Sequence, residues 1–285
     1  MSQRLGLVIH QHRAEVIELA TEAIDWCRDH EVRPVLPTVD AELVGRPDLG
    51  VGEADFGIDL NVCLSLGGDG TMLRATALVA AHDVPILGVN AGHLGYLTEV
   101  DPPKLIEALD RWLAGEMRIE RRMMVEVSIV DGENSTFVGR ALNEAVIDRS
   151  ESGRAVEVAV NINGSDFITF LADGLIVATP TGSTAYSLSA GGPIVEPDFR
   201  TLLLTPVAAH TVFNRPMVLG PRSEIRLTIE GHRPAVVALD GQLRAELKPG
   251  ESVSCRASEV EVSFLVSGDR DFHLVLKEKF GLTDR

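Results

Sequence analysis

The sequence predicts an α/β N-terminal domain on a parallel, Rossmann-like sheet, followed by a mostly antiparallel, β-sandwich-like C-terminal domain. Three observations lead there. Short apolar runs alternate with helically spaced apolar residues through the first third of the chain, the apolar period drops to two after about Arg118, and long helical patterns then stay scarce until Asp271. The 285 residues are enough for two cores of ordinary size.

Leu5 to Ile9 reads as a buried strand, and Val16, Leu19, Ala20, Ala23, Ile24 and Cys27 then recur at helical spacing. A second strand lies near Val32 to Leu36. Pro37 to Asp59, with its glycines and acids, reads as a loop or weakly structured excursion before the strand Val62 to Leu66. The next helix takes Thr71 as its N-cap, runs through Leu73, Ala77, Leu78 and Ala81, and stops at Asp83-Val84-Pro85. After the strand PILGVN, Asp101 caps a helix with Pro102 and Pro103 in its first turn. Leu105, Ile106, Leu109, Trp112 and Leu113 share one face of it, and Gly115 ends it.

Beyond Arg118 the segments VEVSIV, Val156 to Ile162, EIRLTIE, AVVALD and VEVSFLV all alternate. Asn163-Gly164 gives the tight turn of a hairpin that returns through Phe167 to Phe170. DFHLVLKEKF, from Asp271 to Phe280, reads as a last helix that packs back onto the first domain. The expected division is residues 1–118 with about 268–285, and 119–267.

The net charge of −16 argues against a nucleic-acid or anionic-membrane surface, which needs clustered Lys and Arg. No apolar stretch approaches membrane-spanning length, so a cytoplasmic protein is expected. A polyanionic ligand would have to be held locally, by backbone N–H groups and a few arginines. Cys27, Cys63 and Cys255 lack metal-type spacing and read as buried free thiols.

The segment LSLGGDGTML joins a strand to a helix through Gly67, Gly68 and Gly70. Glycines there let the backbone turn sharply and approach a ligand, and the helix start offers free N–H groups with a positive dipole end. The loop is neither G-x-x-x-x-G-K-[ST] nor G-x-G-x-x-G. Asp69 in its middle makes chemical sense if a hydroxyl is brought to a phosphoryl group: its carboxylate orients the hydroxyl and receives its proton late, while N–H groups and Mg²⁺ hold the donor phosphates. The implied reaction is phosphoryl transfer to an alcohol. The competing reading is a plain strand-to-helix turn with Asp69 as a local cap. Arg74, one turn further on, is close enough to meet a phosphate or to be a solvated helix residue.

A second constellation is DGLIVATPTGSTAYSLS, Asp173 to Ser189, where an apolar strand runs into a hydroxyl-rich loop. Asn143-Glu144 lies between the two. GGDGT, NE and TPTGSTAY, in this order and spacing, closely resemble the NAD kinase family. LGVNAGHLGYLTEV, RPMVLGP and Asp240-Gly241-Gln242 add to the resemblance, which covers the chain from about residue 60 to the end.

The resemblance implies a two-domain enzyme with NAD bound between an α/β and a β-rich domain. It also implies the reaction of ATP with NAD to give ADP and NADP, with Mg²⁺, in a homo-oligomer, dimer or tetramer. Inorganic polyphosphate is the alternative donor. By motif position, Asp69 meets the adenosine ribose 2′-hydroxyl, and Gly67, Gly68 and Gly70 line the phosphates. Asn143 and Glu144 hydrogen-bond the dinucleotide, and Thr181, Thr184, Ala185, Tyr186 and Ser189 line the base pockets, with Asp173 at their edge. Arg74, Tyr96, Arg154, Ala208 and Gln242 fall at further contact positions. Leu171 stands where many relatives carry a basic residue, and Tyr96 where Phe is more usual, which keeps stacking and adds a hydroxyl.

GGDGT alone also fits lipid or sugar kinases, and a nucleotide sensor without activity is a third reading. The absence of a basic, aromatic-studded face and the presence of Thr179 to Tyr186 disfavour the first, and the intact Asp69 disfavours the second. Arg121-Arg122 reads as a domain-junction ion pair. His93, flanked by glycines, has no partner that would give it a catalytic role.

Overall fold

The computed structural model describes residues 3–92, 94–132, 134–151, 153–268 and 271–282, so His93 lies outside the described residues. The chain divides into two compact units, Met1–Arg121 with Val262–Arg285, and Arg122–Glu261.

In the first unit, β1 (Arg4–Ile9), β2 (Arg33–Pro37), β3 (Gly50–Val51), β4 (Val62–Gly67) and β5 (Ile86–Asn90) form a parallel sheet in the order β3-β2-β1-β4-β5. Between them run α1 (Glu15–Asp29), α2 (Thr38–Leu43), α3 (Glu53–Phe56) and α4 (Asp69–Val79), and α5 (Leu105–Leu113) follows. Alternation along the strands decides which helix covers which face. Leu5, Leu7, Ile9, Leu64, Leu66 and Leu87 share a buried cluster with Val16, Ala20 and Ala23 of α1 and Leu105 and Leu109 of α5. On the other face, a Cβ at Gly6 would come within 2.7 Å of Phe56 of α3, and one at Gly88 within 2.7 Å of the Met72 sulfur of α4. Those two glycines let helices close on the sheet.

Three local expectations change. The segment 37–59 is not a loop: it holds α2, a 3₁₀ turn at Pro47–Leu49, β3 and α3. These pieces are too short for a periodic signal, and buried Asp40, Ala41 and Phe56 anchor them. Thr71 is not the N-cap of α4. Gly68 is, its carbonyl accepting from the N–H groups of Thr71 at 3.0 Å and Met72 at 3.1 Å, while Thr71 is buried in the first turn. Asp101 precedes a 3₁₀ turn, Pro102–Lys104, and makes no side-chain cap. Gly115 does end α5, with φ +72°. Its N–H donates to Trp112 O and that of Glu116 to Arg111 O, both at 2.9 Å, which completes a Schellman motif.

The second unit is built from β6 (Arg118–Asp131, from Arg122 on), β7 (Asn134–Ala141), β8 (Glu144–Arg149), β9 (Val156–Ile162), β10 (Ser165–Ala172), β11 (Gly174–Ala178), α6 (Tyr186–Ser189), β12 (Leu202–Val207), β13 (Met217–Leu219), β14 (Glu224–Glu230), β15 (Ala235–Leu239), β16 (Gln242–Leu247) and most of β17 (Ser252–Val266). One antiparallel sheet carries β10-β9-β14-β17, with β6 joining β17 to β7; the other runs β13-β12-β11-β8-β15-β16. Val127, Val158, Val160, Ile225 and Leu227 of the first share a core with Ile147, Leu175, Val177, Leu204 and Val237 of the second. Two sheets on one core make the expected sandwich. Asn163 (φ +55°) and Gly164 (φ +84°) form the two-residue turn between β9 and β10.

The chain then returns to the first unit. Phe264 of β17 pairs in parallel with Ile86 of β5. The last helix, α7 (Phe272–Lys279), is capped by Asp271, whose Oδ1 accepts from His273 N at 2.7 Å and Leu274 N at 3.3 Å. It packs on the first unit, where the Lys279 ammonium sits 4.3 Å from the Tyr96 ring centroid. Cys27, Cys63 and Cys255 are buried free thiols, and burial pushes Cys27 and Cys255 up to about 12. Among the described residues no helix is long and apolar enough to cross a membrane.

Candidate functional site

In the first unit the strand order reverses between β1 and β4, and the crevice at the carboxyl ends of such neighbours is where open α/β sheets bind ligands. A cavity of about 490 Å³ lies there. It is lined by the turn Ile9 to Arg13 after β1, by Gly68, Asp69, Gly70, Thr71 and Arg74 after β4, and by Leu94, Gly95 and Lys279.

The loop after β4 is fixed by close packing. A Cβ at Gly67 would fall 2.1 Å from Thr71 Oγ1, so only glycine lets the strand end fold against the first turn of α4. Gly70 meets nothing within 4 Å, so its side of the loop is open. Asp69 is the first residue of α4, and its carboxylate accepts the backbone N–H groups of Tyr96 at 2.9 Å and Leu97 at 3.0 Å. Gly95 makes that contact possible, since a Cβ there would stand 2.3 Å from Asp69 Oδ1. The Tyr96 phenol is pushed above its ordinary value, first by burial and then by the charge of Asp69.

Arg74 borders the cavity, but its guanidinium grips Asp40: Nη1 and Nη2 donate to the two carboxylate oxygens at 2.9 and 2.8 Å, and Nη1 also reaches Ile9 O at 3.2 Å. Asp40 is fully buried, and it also accepts from Ile9 N at 3.0 Å and Gln11 Nε2 at 3.4 Å. Arg74 is thus neither a solvated helix arginine nor an unengaged cation. It ties the loop after β4 to the turn after β1.

In the second unit Asn143 and Glu144 stand at the start of β8, where a strand end frees both side chains from strict alternation. Asp240 clamps this start. Its carboxylate accepts from Leu142 N and Asn143 N at 2.8 Å each and from Glu144 N at 3.2 Å. Asp240 can do so because it sits, with φ +48°, beside Gly241, φ +76°, in the tight turn between β15 and β16. Burial raises its carboxyl, opposed by those three donors.

Glu144 is buried with Oε2 lacking a hydrogen-bond partner among the described residues. Burial, then the charge of Asp240, pushes it up to about 8, against the opposing Tyr186 backbone N–H.

The TPTGSTAY segment packs directly on this start. Thr179 N donates to Asn143 O at 2.9 Å, and a Cβ at Gly182 would lie 2.1 Å from Asn143 O. Thr181 and Thr184 belong to a 3₁₀ turn in which Thr184 Oγ1 donates to Thr181 O at 3.3 Å, and Arg122 donates to Thr181 Oγ1 at 3.4 Å. Ala185 joins the turn to α6, which begins with half-exposed Tyr186 and ends with exposed Ser189. The Tyr186 phenol is raised by burial first and then by Asp148, Asp173 and Glu144.

Asp173 pairs with Arg149 at 2.6 Å, while Leu171 is 38% exposed. Gln242 opens β16 and accepts from Arg244 at 2.7 Å. Ala208 follows β12 with φ +47°, a strained value for a residue with a Cβ. Arg154 stands apart: its partner is Glu151 at 3.9 Å, and both are exposed.

Sequence reasoning passed over His10, His12, Arg13 and Lys279, which share the cavity with Asp69. The cluster IHQHR directly after the first strand is the signal that could have found the first three.

The model described as ATP-NAD kinase N-terminal domain matches residues 5–117, and the one described as ATP-NAD kinase C-terminal domain matches 142–267. The NAD kinase of Heliobacterium modesticaldum is 42% identical over 279 residues, covering 96% of this chain and 97% of that protein. The NAD kinase of Desulforamulus reducens is 37% identical over 276 residues, covering 96% of each chain. A crystal structure of yeast NADH kinase complexed with NADH superposes with a TM-score of 0.88 at 24% identity, covering 100% of this chain and 89% of that one, and so shares its fold. With both halves of the family model matched in order and relatives aligned along nearly the whole length, this chain belongs to the NAD kinase family.

Proposed function

We infer that this protein transfers the γ-phosphoryl group of ATP to the 2′-hydroxyl of the adenosine ribose of NAD, giving ADP and NADP. The 2′-oxygen forms the new bond to phosphorus, the bridging P–O bond breaks with its electron pair leaving on ADP, and the hydroxyl proton passes to Asp69. The observation that carries the reading is the Asp69 carboxylate, fixed by two backbone N–H groups in a cavity at the switch point of the sheet, in a chain of this family. Each of its oxygens keeps a lone pair for a substrate hydroxyl. Orientation of the hydroxyl and late proton capture account for its contribution.

Gly67, Gly68 and Gly70 then face the donor phosphates. Asn143 and Glu144 hold the dinucleotide, and Thr181, Thr184, Ala185, Tyr186 and Ser189 surround its bases, with Tyr96, Asp173, Ala208, Gln242 and Arg154 as outer contacts. Arg74 is assigned to holding the turn after β1, since Asp40 already engages it.

Magnesium fits as a partner of the donor. Among the described residues no three His, Cys, Asp or Glu side chains gather into a cage, which suits a cation carried by phosphates and its own waters, with at most Asp69 nearby. When bound, it would neutralise charge on the donor phosphates. ATP is the donor of this account, with inorganic polyphosphate as alternative. The GGDGT-bearing domain is taken as 1–118 with about 268–285 and the NAD-binding domain as 119–267, in a cytoplasmic homo-oligomer. Exposed strands at sheet edges favour such assembly.

The test is to incubate the purified protein with ATP, MgCl₂ and NAD and to assay NADP. NADP formation is expected. Phosphorylated diacylglycerol or sugar in its place would assign the loop to a different kinase, and NAD binding without turnover would make the protein a sensor.

A further inference from the structure

A triphosphate is a dense anion, and this chain carries a net charge of −16, so cations near the donor site must be local. Arg74, the cation nearest the loop in sequence, is committed to Asp40. Besides the loop, the cavity is lined by His10, His12 and Arg13 from the turn between β1 and α1, and by Lys279 from α7. None of these four lies in the GGDGT, NE or TPTGSTAY segments.

The turn is rigidly built. Buried Asp40 accepts the Ile9 N–H at 3.0 Å, and His12 N donates to His10 Nδ1 at 3.2 Å. Arg13 is half-buried and donates through Nη1 to Ala91 O, which leaves its other donors for a ligand. His10 is held below its ordinary value by burial and then by the charges of Arg13 and His12. An anion would relieve that crowding. Lys279 is exposed at the end of α7, with its ammonium 4.3 Å from the centre of the Tyr96 ring. The backbone of Tyr96 in turn donates to Asp69.

We propose that Arg13 and Lys279 bind the phosphate chain of the ATP donor in the cavity they share with the GGDGT loop, so that the last helix of the chain completes the donor site. The proposal rests on the kinase reading above and adds the cations that this reading lacks.

Lys279→Met, Lys279→Arg and Arg13→Met test it. Each Met variant should raise KM for ATP about tenfold, the effect of losing one charge-assisted contact, with KM for NAD changed less than about twofold. Lys279→Arg should recover most of the loss, and the salt dependence of kcat/KM for ATP should flatten in the Met variants. Titration of ATP onto the NAD-free protein reads the same contacts without turnover, and there too each Met variant should bind about tenfold more weakly. Unchanged ATP affinity in both Met variants overturns the proposal. Wild-type protein that binds ATP and forms no NADP overturns the kinase reading alone.

Discussion

The carboxylate of Asp69 accepts the backbone N–H of Tyr96 at 2.9 Å, while its other oxygen accepts that of Leu97 at 3.0 Å. One side chain therefore joins the start of α4 to the segment after β5, and still has lone pairs to offer a hydroxyl. The loop's aspartate is both a structural tie and the proposed contact of the reacting oxygen. Its position, more than its presence, is what the surrounding chain controls.

Gly95→Ala tests that control without touching Asp69 itself. The added methyl would meet Asp69 Oδ1 at 2.3 Å and Thr98 Oγ1 at 2.8 Å, and the carboxylate, as the end of a side chain, is the group that gives way. A displacement of this size should lower kcat about a hundredfold. Steady-state kinetics below the melting temperature should show the loss of rate in protein that thermal melting finds still folded.

Arg74→Met should behave in the opposite way. It leaves Asp40 buried with its charge uncompensated, so the folded state should lose about 3–5 kcal/mol in denaturant unfolding. KM for ATP, measured below the new unfolding midpoint, should move less than it does for Arg13→Met.

Gly182→Ala places a methyl 2.1 Å from Asn143 O, 2.5 Å from its carbonyl carbon and 2.7 Å from its Cα. All three are backbone atoms and cannot swing aside, so the start of β8 must shift. A stability loss of about 1–3 kcal/mol is expected, with weaker NAD binding in a fluorescence titration.

Glu144 should give the protein a pH-dependent stability. Burial raises its carboxyl from 4.5 to about 8 in the folded chain, so the folded state keeps a proton that the unfolded state releases. Its contribution is full below pH 4.5 and is lost as pH rises towards about 8. The slope it adds is at most about 1.4 kcal/mol per pH unit in that window. Glu144→Gln, which resembles the protonated acid, should flatten this part of the profile in melts of the NAD-free protein.

Much of this was legible in the sequence, and what was hidden has physical causes. Asn163-Gly164 announced its hairpin because two consecutive positive φ angles demand those residue types. Strands β1, β2, β4 and β5 of the first sheet declared themselves through apolar runs that exist because both faces are covered. The segment 37–59 did not, since α2 and α3 are shorter than the window in which a helical period shows, and tertiary contacts hold them. The partner of Arg74 was hidden with it: Asp40 lies in the segment that looked unstructured, 34 residues away. The placing of Asn143 and Glu144 depends on Asp240, nearly a hundred residues later, which no local pattern connects to them. Lys279 was hidden for the same reason, reaching Tyr96 only once α7 folds back on the first unit.

The most direct test of the central claim is the rate at which Asp69→Asn forms NADP, compared with wild type at saturating ATP and NAD. Asparagine cannot take the hydroxyl proton, and its amide can accept only one of the two N–H groups that the carboxylate now satisfies. The account predicts a loss of about 10²–10⁴-fold in kcat. A variant that turns over at the wild-type rate would contradict it.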